Sequence, residues 1–205
     1  IMPEQTFKYD CITMQDDGKV VEPKDRWSRL IQCCKAAVAD PEVKTIIVDS
    51  LSNVDEFLCE HIIAKKDGSK DKDKMTIADW IPYKTLMAKF VMYFRSSGKM
   101  FILTSHLGTE KDELTGQVFH KPNMKSKLQD NFAGFFSDCW LASYEKIGSD
   151  YKYFVKTMPQ PMYNGLGNSL GLPENFKFTW PEFVKYMNKA GAFKTPDMET
   201  ILATR

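Results

Sequence analysis

The 205-residue sequence has no long apolar run, and its charges almost cancel. Because no stretch approaches the roughly 18 consecutive apolar residues of a membrane-spanning helix, we expect no membrane partner. The first residues also lack the basic and apolar segments of a signal peptide. With a formal net charge of +1, any binding of nucleic acid must depend on a local basic patch rather than on a global field.

The sequence also lacks a cysteine motif typical of metal or redox sites, and its histidines are scattered. The five cysteines are an odd number, and none of them forms a C-x-x-C motif. The three histidines, His61, His106 and His120, lack the spacing of zinc ligands. Small thiols in a reducing compartment explain this usage best, so we expect a cytoplasmic protein.

Two enzyme motifs are absent. The chain has no G-x-S-x-G nucleophile elbow, which argues against an α/β hydrolase. No glycine-rich dinucleotide turn follows a predicted strand either, and the two absences together argue against an unrelated α/β hydrolase or transferase. Hydrophobic residues nevertheless make up 43% of the sequence and charged residues 27%, a composition that supports a folded core.

Two short apolar, β-branched runs define the centre of the predicted fold. Thr45–Val48 and Met100–Thr104 have the pattern of strands buried on both faces, which is typical of a parallel sheet. Helical patterns begin at Asp25, near Ser52 and at Trp80. This alternation predicts an α/β fold with helices on both faces of the sheet. Ligands in such folds bind beyond the carboxyl ends of the strands.

The other patterns complete the predicted organisation. Residues 1–160 form a core domain, and residues 161–205 form an extension with a short helix around Pro181–Met187. Residues 138–144 and 151–157 alternate as an antiparallel hairpin at the sheet edge. The further predicted elements are a strand at Phe7–Met14, a mixed-charge solvated loop at Lys65–Lys74, and a long loop or hairpin at His106–Met124.

Polar residues follow both apolar strands. Asp49 and Ser50 come after the first, and an apolar strand that ends in a carboxylate is typical of a Walker B motif, which holds Mg²⁺ beside nucleotide phosphates. The alternative for Asp49 is the N-cap of the next helix. His106 follows the second strand and could hydrogen-bond a γ-phosphate. The alternative there is a partly buried histidine that caps the loop.

In order and spacing, these features resemble the single-domain RecA-like recombination ATPases of phages, which work with single-strand annealing systems. The resemblance covers roughly residues 7–160. It implies a RecA-like three-layer fold with a mostly parallel central sheet and an antiparallel edge hairpin. The segments that carry it are Thr45–Leu51, Lys99–His106, Pro122–Leu128, Phe136–Asp138 and Tyr153–Thr157.

The resemblance also implies cofactors and roles. ATP and Mg²⁺ are the expected cofactors, Asp49 is the Walker B carboxylate and metal ligand, and His106 is the polar sensor. Lys125 and Lys127 match the basic position that reaches the nucleotide of a neighbouring subunit in a homo-oligomeric ring or filament. The alternative for both lysines is a solvated helix start.

Single-stranded DNA is the partner that the resemblance implies for the segment His106–Met124. Within it, Lys111, Phe119, His120 and Lys121 are the candidate DNA-binding residues. A phenylalanine beside basic residues could stack on bases. A lone loop phenylalanine is equally often a packing anchor.

One family feature is missing. No G-x-x-x-x-G-K-[ST] motif occurs, and Gly165-Leu166-Gly167 lacks the lysine and the preceding strand. We therefore expect a downstream fragment without the N-terminal P-loop unit, which needs an upstream P-loop segment as partner and hydrolyses negligible ATP alone. The alternative is a non-catalytic RecA-like module that binds single-stranded DNA or serves assembly.

Overall fold

The computed structural model describes residues 10–15, 17–66, 74–160, 162–163 and 165–191. The chain forms two compact units. The first unit comprises the chain up to Gly108 together with Pro122–Gln129, and the second comprises Thr109–Lys121 together with the chain from Asp130 onward. The domain boundary predicted at residue 160 stays a prediction.

The first unit alternates helices and strands, as the sequence predicts. Proline is favourable at the start of a helix, where its missing N–H has no partner to lose, and the first helix begins at such a proline. The elements are α1 (Pro23–Ala39), β1 (Thr45–Val48), α2 (Leu51–Ala64), α3 (Trp80–Arg95) and β2 (Met100–Leu103).

The core of the first unit lies where α2, α3 and β2 contribute apolar side chains. Leu58, Tyr83 and Met87 are fully buried. The rings of Phe94 and Phe101 stack with centroids 4.0 Å apart, which joins α3 to β2. The aromatic stripe predicted along α3 is therefore core, as its helical spacing indicates.

β1 and β2 form a parallel pair, in which Thr45 lies opposite Met100 and Val48 opposite Leu103. The prediction that both faces of β1 are buried is wrong. Side chains alternate along a strand, and while Ile46 and Val48 are buried, Ile47 is 55% exposed. In the described residues the parallel sheet has two strands, and the larger RecA-like central sheet stays a prediction.

Two predicted elements fall partly on residues that are not described. Of the strand predicted at Phe7–Met14, residues 7–9 lie outside the described residues. From Asp10 to Met14 the described chain is not a strand and has one isolated bridge, from Met14 to Val20. Residues 67–73 of the predicted charged loop also lie outside the described residues.

The second unit is built mainly from antiparallel strands. The loop or hairpin predicted after His106 is a hairpin, and the predicted hairpin further along pairs with a short third strand. Its predicted place at the edge of the parallel sheet stays a prediction. The strands that follow β2 along the chain are β3 (Leu107–Lys111), β4 (Val118–Pro122), β5 (Leu141–Ile147), β6 (Asp150–Lys156) and β7 (Asn175–Phe176).

One further helix, α4 (Trp180–Lys189), follows these strands and confirms the short helix predicted there. It buries Phe183 and Met187, and Tyr186 meets Phe176 of β7 with ring centroids 5.6 Å apart. Among the helices of the described ranges, none is both long and apolar enough to cross a lipid bilayer.

Lys99 ties the end of α1 to the start of β2. Its ammonium donates to the carbonyl oxygens of Ala37 at 3.0 Å and Val43 at 2.8 Å, and also to that of Asp40. The last carbonyls of a helix lack partners within the helix, and a cation there also interacts favourably with the helix dipole. Lys99 therefore fixes the turn that leads into β1.

We expect Lys99→Met to lower the free energy of unfolding by about 1–3 kcal/mol, because the carbonyl oxygens lose a charged donor. Urea denaturation followed by circular dichroism measures this loss. Lys35→Met is the matched control, since Lys35 is an exposed lysine of α1, the helix whose end Lys99 contacts. Equal stability of the two variants would contradict the role given to Lys99.

Candidate nucleotide and magnesium site

The carboxyl ends of β1 and β2 lie side by side because the two strands are parallel and in register. The Thr104 hydroxyl, directly after β2, donates to Asp49 Oδ1 at 2.5 Å. The Thr104 amide donates to the Val48 carbonyl at 3.1 Å, and the Thr104 carbonyl accepts from the Leu51 amide at 2.8 Å. The Asp49 carboxylate is thus fixed at the strand tips and stays exposed to solvent.

α2 begins immediately after this point. Ser50 is its N-cap residue, and the Ser50 carbonyl accepts from the amides of Asn53 and Val54 at 3.1 Å each. The Asp49 carboxylate therefore bonds a neighbouring strand and does not occupy the N-cap position. Ser50 is only 5% exposed, so its hydroxyl is poorly placed to contact a nucleotide directly.

His106 lies two residues beyond Thr104 and is exposed. Its carbonyl oxygen accepts from the Asn123 amide at 2.8 Å and from the Ser105 hydroxyl at 2.9 Å. The Ser52 hydroxyl, in the first turn of α2, donates to the Asn123 carbonyl at 3.2 Å. The chain after β2 and the segment around Asn123 therefore run together beside the start of α2.

The basic segment is attached to α2 through a buried carboxylate. Asp55 is 2% exposed and accepts from the Lys125 amide at 3.2 Å and from the Tyr83 hydroxyl. Burial raises the pKa of Asp55, while the Tyr83 hydrogen bond and the Lys125 amide and charge act in the opposite direction. The Lys125 backbone is thus held beside α2, with its side chain exposed.

The charge of Lys125 affects an acidic residue of α2, and Lys127 is open to solvent. Burial raises the pKa of Glu60 on α2, whereas the charges of Arg26 and Lys125 lower it. Lys127 is exposed at the start of a short 3₁₀ helix, Lys127–Asp130.

Sequence reasoning missed the pair formed by Asp55 and Tyr83. A signal was present, because Asp55 interrupts the apolar face of α2 between Val54 and Leu58, both of which are buried. A carboxylate on an apolar helix face needs a donor. The position of Tyr83 on the apolar stripe of α3 predicts only a core side chain and gives no sign that it is that donor.

The predicted DNA-binding residues lie in the second unit. The Lys121 ammonium pairs with Asp130 at 2.6 Å and Glu110 at 2.5 Å, and these carboxylates raise the pKa of Lys121 and offset its positive charge. The His120 ring stacks on Tyr163 with centroids 4.9 Å apart. Phe119 is half-buried, and Lys111 is exposed.

The donor chemistry at the strand tips suits a magnesium nucleotide better than a bare metal ion. Across the described ranges, no group of three or more His, Cys, Asp or Glu side chains could hold a metal. Asp49 supplies one exposed carboxylate. Mg²⁺ typically takes one or two protein carboxylates and completes its shell with water and phosphate oxygens, so the residues present fit the ion as part of a nucleotide complex.

A parallel strand pair that ends in a carboxylate and a hydroxyl, with a helix starting at once, places polar side chains where α/β proteins bind their ligands. A family model described as an AAA domain matches residues 9–168, so the chain belongs to that family. Membership makes it an AAA-type, P-loop-ATPase-like domain, for which nucleotide and usually Mg²⁺ are the ligands. Searches of curated proteins and of solved structures find no match.

We expect Tyr83→Phe to lower the free energy of unfolding at neutral pH by about 1–3 kcal/mol, because the buried Asp55 carboxylate loses a donor. Chemical denaturation of both proteins measures the difference. Tyr93→Phe removes a hydroxyl from the same helix at a side chain that is 38% exposed, and is the matched control. No loss beyond the control would contradict the pairing.

The deficit of Tyr83→Phe should also depend on pH. The pKa of Asp55 in the folded protein lies above its usual value. As the pH falls, Asp55 therefore becomes protonated in the folded protein while it is still ionised in the unfolded chain. A protonated carboxyl needs the tyrosine donor less. The deficit, corrected by Tyr93→Phe, should therefore be largest above the folded-state pKa of Asp55 and shrink below it.

Proposed function

We propose that this AAA-type domain acts as the ATP-binding and ATP-hydrolysing part of a phage RecA-like protein of DNA recombination or single-strand annealing. The observation that carries the ATP site is the exposed Asp49 carboxylate, held by the Thr104 hydroxyl where two parallel strands end. The DNA function rests on the sequence resemblance. We place the activity in the cytoplasm, of the host cell if the protein is viral.

In this proposal Asp49 holds Mg²⁺, which when bound neutralises charge on the phosphate oxygens. Thr104 fixes the orientation of the Asp49 carboxylate through its hydrogen bond. Ser50 starts the helix that follows and contributes through the backbone. His106 is the candidate hydrogen-bond donor to the γ-phosphate, and its exposure on the chain directly after β2 supports that role.

Lys125 and Lys127 are the proposed cations for the transition-state charge of a nucleotide bound by a neighbouring copy. Both side chains are exposed, and the Lys125 backbone is anchored to α2 through Asp55. An anchored backbone reduces the entropy lost when a side chain is ordered at a site. The role requires a homo-oligomer, a ring or a filament, which we propose together with it.

We also propose that a Walker A segment outside these 205 residues completes the site. The motif G-x-x-x-x-G-K-[ST] is absent from the sequence, and its backbone amides and lysine are what grip the β- and γ-phosphates in P-loop proteins. The 55% exposure of Ile47 supports this, because an apolar side chain on a sheet face is normally covered.

The β3–β4 hairpin is the proposed contact to single-stranded DNA through Lys111, Phe119 and His120. The exposed Lys111 supports it most directly. Lys121 contributes least, because binding a phosphate would require it to release Glu110 or Asp130.

The second candidate is a non-catalytic RecA-like module that binds single-stranded DNA or serves assembly. It is favoured by the absence of the P-loop motif. Titration of an oligonucleotide at several salt concentrations separates a phosphate-contacting module from an inert scaffold, because only the former weakens linearly on a log–log plot. The two candidates also differ in nucleotide binding: the ATP-hydrolysing protein should bind nucleotide at Asp49, and the non-catalytic module should not.

Mn²⁺–ATP should broaden the backbone amide signals of Ser50, Leu51 and Ser105 in NMR spectra, because the paramagnetic ion would lie beside Asp49. Asp49→Asn should strongly reduce this broadening, since it removes the carboxylate that would hold the ion. Glu113→Gln is the control at an exposed acidic residue of the β3–β4 turn. Broadening that is unchanged in Asp49→Asn would place the ion elsewhere.

The isolated chain should show no ATP turnover above background in a phosphate-release assay, with or without oligonucleotide. The physical reason is the missing phosphate cradle. Turnover that disappears in Asp49→Ala would show that the 205 residues already contain a complete phosphate site. Turnover that persists in Asp49→Ala would point to a contaminating enzyme.

A further inference from the structure

The distal part of the β5–β6 hairpin has an exposed aromatic face. In the antiparallel register, Tyr144 lies opposite Tyr153, and Lys146 lies opposite Tyr151. Directly opposed side chains point to the same face of a sheet, so these four residues share one face, which we call the tyrosine face. Its three rings are 62%, 71% and 51% exposed for Tyr144, Tyr153 and Tyr151.

The rings form a continuous surface. The centroid of Tyr144 is 5.5 Å from that of Tyr151 and 6.2 Å from that of Tyr153. The Lys146 ammonium lies 5.9 Å from the Tyr151 centroid. Contiguous exposed apolar patches are typical of interaction sites, so the three adjoining rings indicate a binding surface.

The tyrosine face carries positive charge and no negative charge among the paired residues of β5 and β6. Lys146 is the charged residue on this face of the β5–β6 pair, whereas Glu145 and Lys152 oppose each other on the other face. A ligand that suits the tyrosine face therefore combines flat rings with negative charge.

We propose that the tyrosine face binds single-stranded nucleic acid, with bases stacked on Tyr144, Tyr151 and Tyr153 and a phosphate beside Lys146. Aromatic side chains beside cations are the usual means of binding single strands, whose unpaired bases leave their faces free. A duplex would need to be unstacked first. This inference rests on the proposed DNA function but uses residues outside the β3–β4 hairpin.

Binding of a fluorescent oligothymidine to the full chain, measured by fluorescence anisotropy, tests the inference. Tyr144→Leu and Tyr153→Leu keep apolar bulk but remove the ring, and each should weaken binding at least about five-fold. Tyr153→Phe keeps the ring and should bind like the original chain. Circular dichroism of every variant reports whether the hairpin stays folded.

The lysine offers a matched pair of variants on one hairpin. Lys146→Ala should reduce the slope of log affinity against log salt by about 0.7, because one phosphate contact to a single strand is lost. Lys152→Ala removes the same charge from the other face of β6 and should leave the slope unchanged. Equal effects of the two variants would overturn the inference.

The remaining outcomes are distinguishable. Oligothymidine binding that is unaffected in the leucine variants would overturn the tyrosine face while leaving the proposed DNA function in place. A chain that binds no oligothymidine would overturn both. If light scattering shows that the leucine variants change the association of copies instead, the face is a protein contact and the inference is wrong.

Discussion

The hydrogen bond from the Thr104 hydroxyl to the Asp49 carboxylate joins the ends of two parallel strands, and the proposed chemistry depends on it. The backbone hydrogen bonds of Thr104 to Val48 and Leu51 keep the ends of the two strands in register. Neither side chain can rotate away without breaking the hydrogen bond that joins them. Such preorganisation matters for phosphoryl transfer, where catalysis consists mainly of positioning and electrostatic stabilisation.

The buried Asp55 extends this order to the basic segment. A carboxylate among apolar helix faces is costly unless donors satisfy it, and here the donors come from α3 and from the Lys125 backbone. The same contact that satisfies the carboxylate therefore fixes where residues 122–129 run. Buried polar contacts of this kind specify one arrangement among several apolar ones of similar energy, and they place Lys125 next to the helix that starts at the strand tips.

Local patterns in the sequence were sufficient to predict some of these features. The helices α1, α2 and α3 follow from apolar spacing, and the adjacency of Asp49 to the end of β2 follows from the rule that parallel strands end at one edge. The exposure of Ile47 could not be predicted, because burial depends on what packs against a strand. The Asp55–Tyr83 contact and the tyrosine face depend on helix packing and strand register, which residue spacing alone does not determine.

Net charge offers little guidance to where this protein would meet a polyanion, and local pairing decides instead. A formal charge of +1 leaves no global attraction. Lys121 lies beside His120 in the β3–β4 hairpin, but two carboxylates pair with its ammonium and offset its charge. Lys146, by contrast, lies on a face of the β5–β6 pair that bears no carboxylate. Because exposed charges are screened within about 8 Å at physiological salt, a phosphate responds to such immediate neighbours. A lysine beside exposed rings is therefore a better anchor for a single strand than a lysine already bound to acids.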